Sequence, residues 1–66
     1  MMDKFYKQVR EFSLGESFIF CGKRYYIFGN TVRDNQEWVI AWVEGRYGTR
    51  KLEYFHPDMW VHVWEH

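Results

Sequence analysis

Two sets of residues in this chain could do chemistry, and they differ in kind. The first is nucleophilic and metal-ligating: Cys21, with His56, His62, His66 and Asp58. A cysteine beside a histidine can act as an activated nucleophile, and thiolate with imidazole can hold zinc. No pair among them has a recognised metal-ligand spacing, and one cysteine is too few for the usual structural zinc site. Cys21, next to Gly22, reads more simply as a small strand residue at a turn. There is no glycine-rich phosphate loop, paired-carboxylate site or cofactor fingerprint. The reading is a non-enzyme with no cofactor and no metal.

The second set is aromatic and basic: Trp38, Trp42 and Lys51, with Arg46, Tyr47 and Arg50 at the adjoining hairpin end, and Trp64 in the last extended segment. Rings interleaved with arginine and lysine stack bases and hold phosphates. The same residue types also dominate protein-interface hot spots. Glu37, Glu44 and Glu53 lie on or beside the same hairpin and repel phosphate, which favours another protein as the partner. Single-stranded nucleic acid is the alternative, and a homodimer without ligand is the third reading. Against all three stands the plain structural explanation, in which an N-terminal helix covers Trp38 and Trp42. For Trp60 the plain explanation is closure of a barrel beside the first hairpin.

Composition bounds these readings. The chain has 66 residues, 23% of them aromatic, with 47% hydrophobic and 27% charged. Each ring brings roughly 150–250 Å² to bury. A domain of about 60 residues hides only about 60% of the surface its unfolded chain exposes. Rings are therefore left over for a partner. Nine basic and nine acidic residues cancel, unlike the basic balance of proteins held to nucleic acid by their overall field. Neutrality also leaves little repulsion between copies. A single cysteine excludes an intrachain disulfide and suggests a reducing, cytoplasmic setting. The longest apolar run, Trp38–Val43, is six residues, far below the roughly 20 of a membrane helix.

The elements that must position the rings follow from periodicity. Met2, Phe5, Val9 and Phe12 recur at helical spacing, so residues 1–13 predict a short amphipathic helix. Lys4, Lys7 and Arg10 fall on its solvated side. After Gly15 the pattern is strand and turn. Ser17–Cys21 and Arg24–Phe28 are joined through Gly22-Lys23 as a type II′ hairpin. That register sets Phe20 opposite Tyr25 and Phe18 opposite Ile27, one apolar face. Residues 29–35 read as a polar, mobile loop. Gln36–Glu44 pairs with Tyr47–Phe55 through a loop of two or four residues. One face then holds Val39, Ala41, Val43, Leu52 and Tyr54, with Arg50 near its end. The other sets Trp38, Ile40 and Trp42 among Thr49, Lys51 and Glu53. His56-Pro57-Asp58-Met59 is a turn before the strand Trp60–Trp64, where Val61 and Val63 face one way and Trp60, His62 and Trp64 the other.

One domain results, mainly β: a helix over 1–13 and five antiparallel strands over 15–64, curled or closed as a small barrel. Strand count, turn spacing and the pattern Gly15-Glu16…Phe18…Gly22…Tyr25…Ile27 resemble the SH3-like small barrels across residues 15–64. The resemblance is architectural, and the peptide-binding signature of signalling SH3 domains is absent. An open sheet crossed by the helix is the alternative arrangement. In function, compact ring-rich chains of this kind resemble the small accessory proteins of phages and mobile elements: adaptors, accessory subunits or inhibitors.

Overall fold

Aromatic and β-branched residues fit a pleated, half-buried surface, and they dominate the segments that pair here. The computed structural model describes residues 5–63. Six strands form one antiparallel sheet: β1 (Tyr6–Gln8), β2 (Ser17–Phe20), β3 (Lys23–Arg33), β4 (Gln36–Glu44), β5 (Arg50–Phe55) and β6 (Trp60–Val63). Their order across the sheet is β1-β6-β2-β3-β4-β5. Strands β1 and β5 are the two edges, so the sheet is not closed into a barrel. It is nevertheless strongly curled. The Phe55 ring on β5 lies 5.2 Å from Phe18 and 5.6 Å from Phe20 on β2, although β3 and β4 stand between them in the sheet. Phe18, fully buried, also stacks on Tyr25 at 5.7 Å. Val9, Ile27, Val39, Ala41, Val43 and Val61 complete the buried set.

Among the described residues the N-terminal helix is not formed; Met2 and Lys4, expected to belong to it, lie outside them. Tyr6–Gln8 pairs with β6 instead, and only Val9–Glu11 makes a single 3₁₀ turn. A ten-residue helix is marginal without tertiary support, and here the tertiary bonds take its donors. The Val9 N–H donates to the Met59 carbonyl at 2.8 Å, and the Arg10 N–H to the Pro57 carbonyl at 2.9 Å. Arg10 also pairs with Asp58 through its side chain. The spacing of Phe5, Val9 and Phe12 does carry information, because Val9 is buried and Phe12 packs on the core.

The first hairpin turns through Cys21-Gly22, both in the left-handed region (φ 54° and 74°), the signature of a type I′ turn. Phe18 therefore faces Tyr25 and Ile19 faces Arg24, two residues from the predicted register. A shift of two preserves the faces, so Phe18, Tyr25 and Ile27 remain inside. Residues 29–33, expected to be loop, continue β3. The chain reverses at Asp34-Asn35, again with two positive φ values. A bulge between Ile27 and Gly29 carries β3 through this length.

The β4–β5 hairpin departs further. Its loop has five residues, Gly45–Thr49, with Glu44 opposite Arg50. Tyr47 sits at φ 59° inside the 3₁₀ turn Arg46–Gly48. Relative to a two- or four-residue loop the parity changes, and β5 is turned over. Phe55, Glu53 and Lys51 fall opposite Val39, Ala41 and Val43 on the inner side; Tyr54, Leu52 and Arg50 fall opposite Ile40, Trp42 and Glu44 on the outer side. Leu52 and Tyr54, expected in the core, are 49% and 47% exposed, and Phe55 is buried.

Candidate binding face

The outer face of β3–β4–β5 is built by strand alternation and this register. Tyr26 lies opposite Trp42, and Trp42 opposite Leu52; Gly29 lies opposite Ile40, and Ile40 opposite Tyr54; Thr31 lies opposite Trp38. Residues directly opposite share a face, so two tryptophans, two tyrosines, Leu52 and Ile40 form one continuous surface. Its middle is a row crossing three strands. The Arg24 guanidinium sits 5.0 Å from the Tyr26 ring centre. Tyr26 stacks on Trp42 at 4.4 Å with the rings 16° apart. Arg50 lies over the Trp42 ring, its guanidinium carbon 4.2 Å from the ring centre. The row is thus cation, ring, ring, cation. A cation over a ring face is stabilised by about 0.5–1 kcal/mol at exposed sites, which favours keeping both arginines over the rings. Arg24 is held further by donation from Nε to the Ser17 hydroxyl at 3.0 Å.

A second cluster lies toward the β3–β4 turn. Arg33 sits 5.5 Å from the Tyr54 ring centre, and Trp38 meets His56 edge-on at 6.1 Å. Arg33, Asp34, Trp38 and Tyr54 line a shallow depression of about 260 Å³. A separate cleft of about 340 Å³ opens between the Val9–Glu11 turn and the β3–β4 hairpin. Its walls are core side chains such as Val9, Ile27 and Val39, and its rim residue Arg10 is already paired with Asp58.

Of the residues singled out by sequence, Trp42 and Arg50 are in direct contact, and Trp38 lies on the same face. Lys51 does not belong there. It is opposite Val43, on the other side of the sheet, because the five-residue loop changes the parity. Arg46 and Tyr47 are at the loop tip, where Tyr47 is 98% exposed. Trp64 lies outside the described residues. The strand of Trp60 does lie beside the first hairpin, pairing with β2, but no barrel closes there: Trp60 pairs with Gln8 of β1 and is exposed. Among the described residues no helix lies over Trp38 and Trp42; Tyr6–Gln8, expected to belong to it, pairs with β6 at the opposite end of the sheet. Sequence reading missed Arg24, Tyr26, Arg33, Leu52 and Tyr54. For Arg24 and Tyr26 the signal is their alternation with Tyr25 and Ile27, which sets both on the side of the first hairpin away from its apolar face.

The acidic residues also separate. Glu37 and Glu53 alternate to the inner side, leaving Glu44 at the end of the outer face. Glu53 lies on the same inner side as Tyr25 and acts on it electrostatically. Burial raises the Tyr25 phenol above its ordinary value, and the Glu53 charge raises it further, with a smaller push from Cys21.

The chemical set falls apart in space. Cys21 is exposed on the β2–β3 turn. His56 Nδ1 accepts the Asp58 N–H at 3.1 Å, and the Asp58 carboxylate is engaged by Arg10. His62 packs edge-on against Tyr6 at 5.0 Å; His66 lies outside the described residues. Among the described residues no three His, Cys, Asp or Glu side chains gather as a metal site, and no helix is long and apolar enough to cross a membrane. No family model, no curated protein and no solved structure matches this chain.

Proposed function

We propose that the chain is a non-catalytic protein-binding module, an adaptor, accessory subunit or inhibitor, and that the outer face of β3–β4–β5 receives its partner. The observation that carries this reading is the turned-over β5. It adds Leu52 and Tyr54 to Trp38, Ile40, Trp42 and Tyr26, and Arg24, Arg33 and Arg50 lie on or around those rings. Tryptophan, tyrosine and arginine are the residues that dominate interface hot spots. The return of β6 beside β2 after the β2–β5 meander supports an SH3-like architecture for the module. Affinity capture with the full chain tests the proposal. A stoichiometric protein partner retained by wild type and by a Lys23→Glu control is weakened at least roughly thirtyfold by Trp42→Ala or Arg50→Glu, the scale of a hot-spot truncation. Equal retention by these variants removes the face from the function.

A second reading is favoured by the segregation of charge. Three arginines share the outer face with its rings, and two of the three acids that argued against phosphate sit on the other side. That arrangement suits single-stranded nucleic acid, with bases on the rings and phosphates on the arginines. It calls for quenching of tryptophan fluorescence by a single-stranded oligonucleotide at low salt, relieved as salt rises. Unchanged fluorescence at low salt ends this reading.

A further inference from the structure

Strand β5 is an edge: β4 pairs with one side, and among the described residues no strand pairs with the other. The loop determines which backbone groups face outward. The Gly45 N–H donates to the Thr49 carbonyl at 2.7 Å, so that pair is of the hydrogen-bonded kind. Antiparallel ladders alternate between the two kinds of pair. Val43–Lys51, Ala41–Glu53 and Val39–Phe55 are therefore also hydrogen-bonded pairs. Lys51, Glu53 and Phe55 spend their N–H and C=O groups on β4. Arg50, Leu52 and Tyr54 aim theirs at the open edge.

We infer that this edge pairs antiparallel with β5 of a second copy of the chain, about a two-fold axis through Leu52. Several symmetric registers are geometrically available, and charge selects among them. An axis at Lys51 sets lysine against lysine, and an axis at Glu53 sets glutamate against glutamate; like charges directly opposite are destabilising. An axis at Arg50 sets arginine against arginine. An axis at Leu52 places Leu52 against Leu52 and Arg50 against Tyr54 of the second copy on the outer face. On the inner face it places Lys51 against Glu53, twice by symmetry. This register also joins the outward-facing groups, Leu52 with Leu52 and Arg50 with Tyr54, in six N–H···O bonds, and it overlaps more of the strand than an axis at Tyr54. Lysine on an edge strand ordinarily guards against such pairing. Here the glutamate two residues on cancels that guard in this register. With nine basic and nine acidic residues, the copies carry no net charge to hold them apart. Dimerisation would join the two outer faces, Trp42 and Leu52 of one copy running into those of the next.

Sedimentation equilibrium on the full chain tests the pairing. Wild type is expected to show a reversible dimer. Lys51→Glu and Glu53→Lys each replace two attractive pairs by two repulsive ones, and each weakens association by about ten- to thirtyfold. The double variant, Lys51→Glu with Glu53→Lys, restores it to within about threefold. That rescue separates an interface effect from a folding defect. In a Cys21→Ser background, Leu52→Cys oxidises to a covalent dimer, because hydrogen-bonded partners lie about 5.5 Å apart at Cα. Tyr54→Cys does not, its copies being about 14 Å apart along the strands. A monomer up to about millimolar concentration overturns the inference, as does association that Lys51→Glu leaves unchanged or that the double variant fails to restore. Crosslinking at 54 in place of 52 overturns the axis.

Discussion

The hairpins β2–β3 and β4–β5 flank the same β3–β4 ladder, yet they handle their side chains differently. In β2–β3 the two-residue turn Cys21-Gly22 is tight and both strands bury the side of the sheet that holds Phe18 and Tyr25. In β4–β5 the loop Gly45–Thr49 is held by the Gly45 to Thr49 bond and by the Thr49 hydroxyl donating to the Arg46 carbonyl at 2.7 Å. A side chain on Gly45 would meet Thr49 Oγ1 at 2.8 Å, so the odd-length loop depends on a glycine at that position. The consequence is that β5 contributes one large ring, Phe55, to the core and offers Leu52 and Tyr54 to solvent. Loop parity, more than hydrophobicity, decides which rings are stored and which are displayed.

The largest test of that contrast compares neighbours on β5. Phe55 is buried between Phe18, Phe20 and Tyr25, so Phe55→Ala is expected to lose about 3–5 kcal/mol, enough to threaten the fold of a chain this size. Leu52→Ala, three residues away and half exposed, is expected to lose less than about 1 kcal/mol, mostly its cross-strand contact with Trp42. Urea titration of both variants reads the difference. A Leu52→Ala loss of about 2 kcal/mol or more, with Phe55→Ala mild, would return β5 to the opposite face and dissolve the proposed binding surface.

The second test is electrostatic. Tyr25 is inside, and its phenol is raised by burial first and by Glu53 second. The folded state therefore holds its proton above the ordinary tyrosine value of about 10, while the unfolded chain releases it there. Between those two values the native state binds more protons, so stability falls as pH rises. The contribution is complete below about pH 10 and is lost through the raised native value. Tyr25→Phe is expected to flatten this part of the alkaline stability profile. Glu53→Gln is expected to narrow it, because only the burial and Cys21 contributions remain. An alkaline profile unchanged by Glu53→Gln would mean that the Glu53 charge does not act on the Tyr25 phenol, although the register sets both on the inner side of the sheet.

The same contrast explains what could be read without coordinates. The Ser17–Phe28 hairpin and the strand Gln36–Glu44 are legible from alternation. The turn is type I′ through Cys21-Gly22 in place of the expected type II′ through Gly22-Lys23, yet the resulting register error of two leaves every side chain on its face. Trp42 and Arg50 are grouped in the sequence only by nearness to the hairpin end; alternation alone sets them on opposite faces, and the odd loop that turns β5 over brings Arg50 onto the face of Trp42. Lys51, Leu52 and Tyr54 were not placed correctly, since their faces depend on whether the loop has an even or odd number of residues. Tyr47 in the left-handed region gives little warning of that in the sequence. The helix over residues 1–13 failed differently. Helical spacing and a three-residue strand followed by a 3₁₀ turn both send Val9 and Phe12 inward, and backbone pairing with β6, Met59 and Pro57 decides between them. Residues 29–33 look like loop in composition, but their place opposite β4 comes from the Asp34-Asn35 reversal.

The smallest effect lies in the tight turn itself. Cys21 occupies a left-handed position that costs a residue with a side chain roughly 1 kcal/mol, and its side chain is exposed. Asparagine tolerates that conformation because its short amide bonds locally, and Asn-Gly is the preferred pair for a type I′ turn. Cys21→Asn should therefore stabilise the chain by about 0.5–1 kcal/mol, read as a rise of roughly 2–8 °C in melting temperature. It should leave the dimer and the outer face untouched, since neither includes the turn. The corresponding change in the second hairpin, Gly45→Ala, should act in the opposite direction, because the added methyl group meets Thr49 and disturbs the bond that sets the odd loop. If Cys21→Asn fails to raise the melting temperature, the turn is not of the type I′ form, and the two-residue shift that kept Phe18 and Tyr25 together needs another cause.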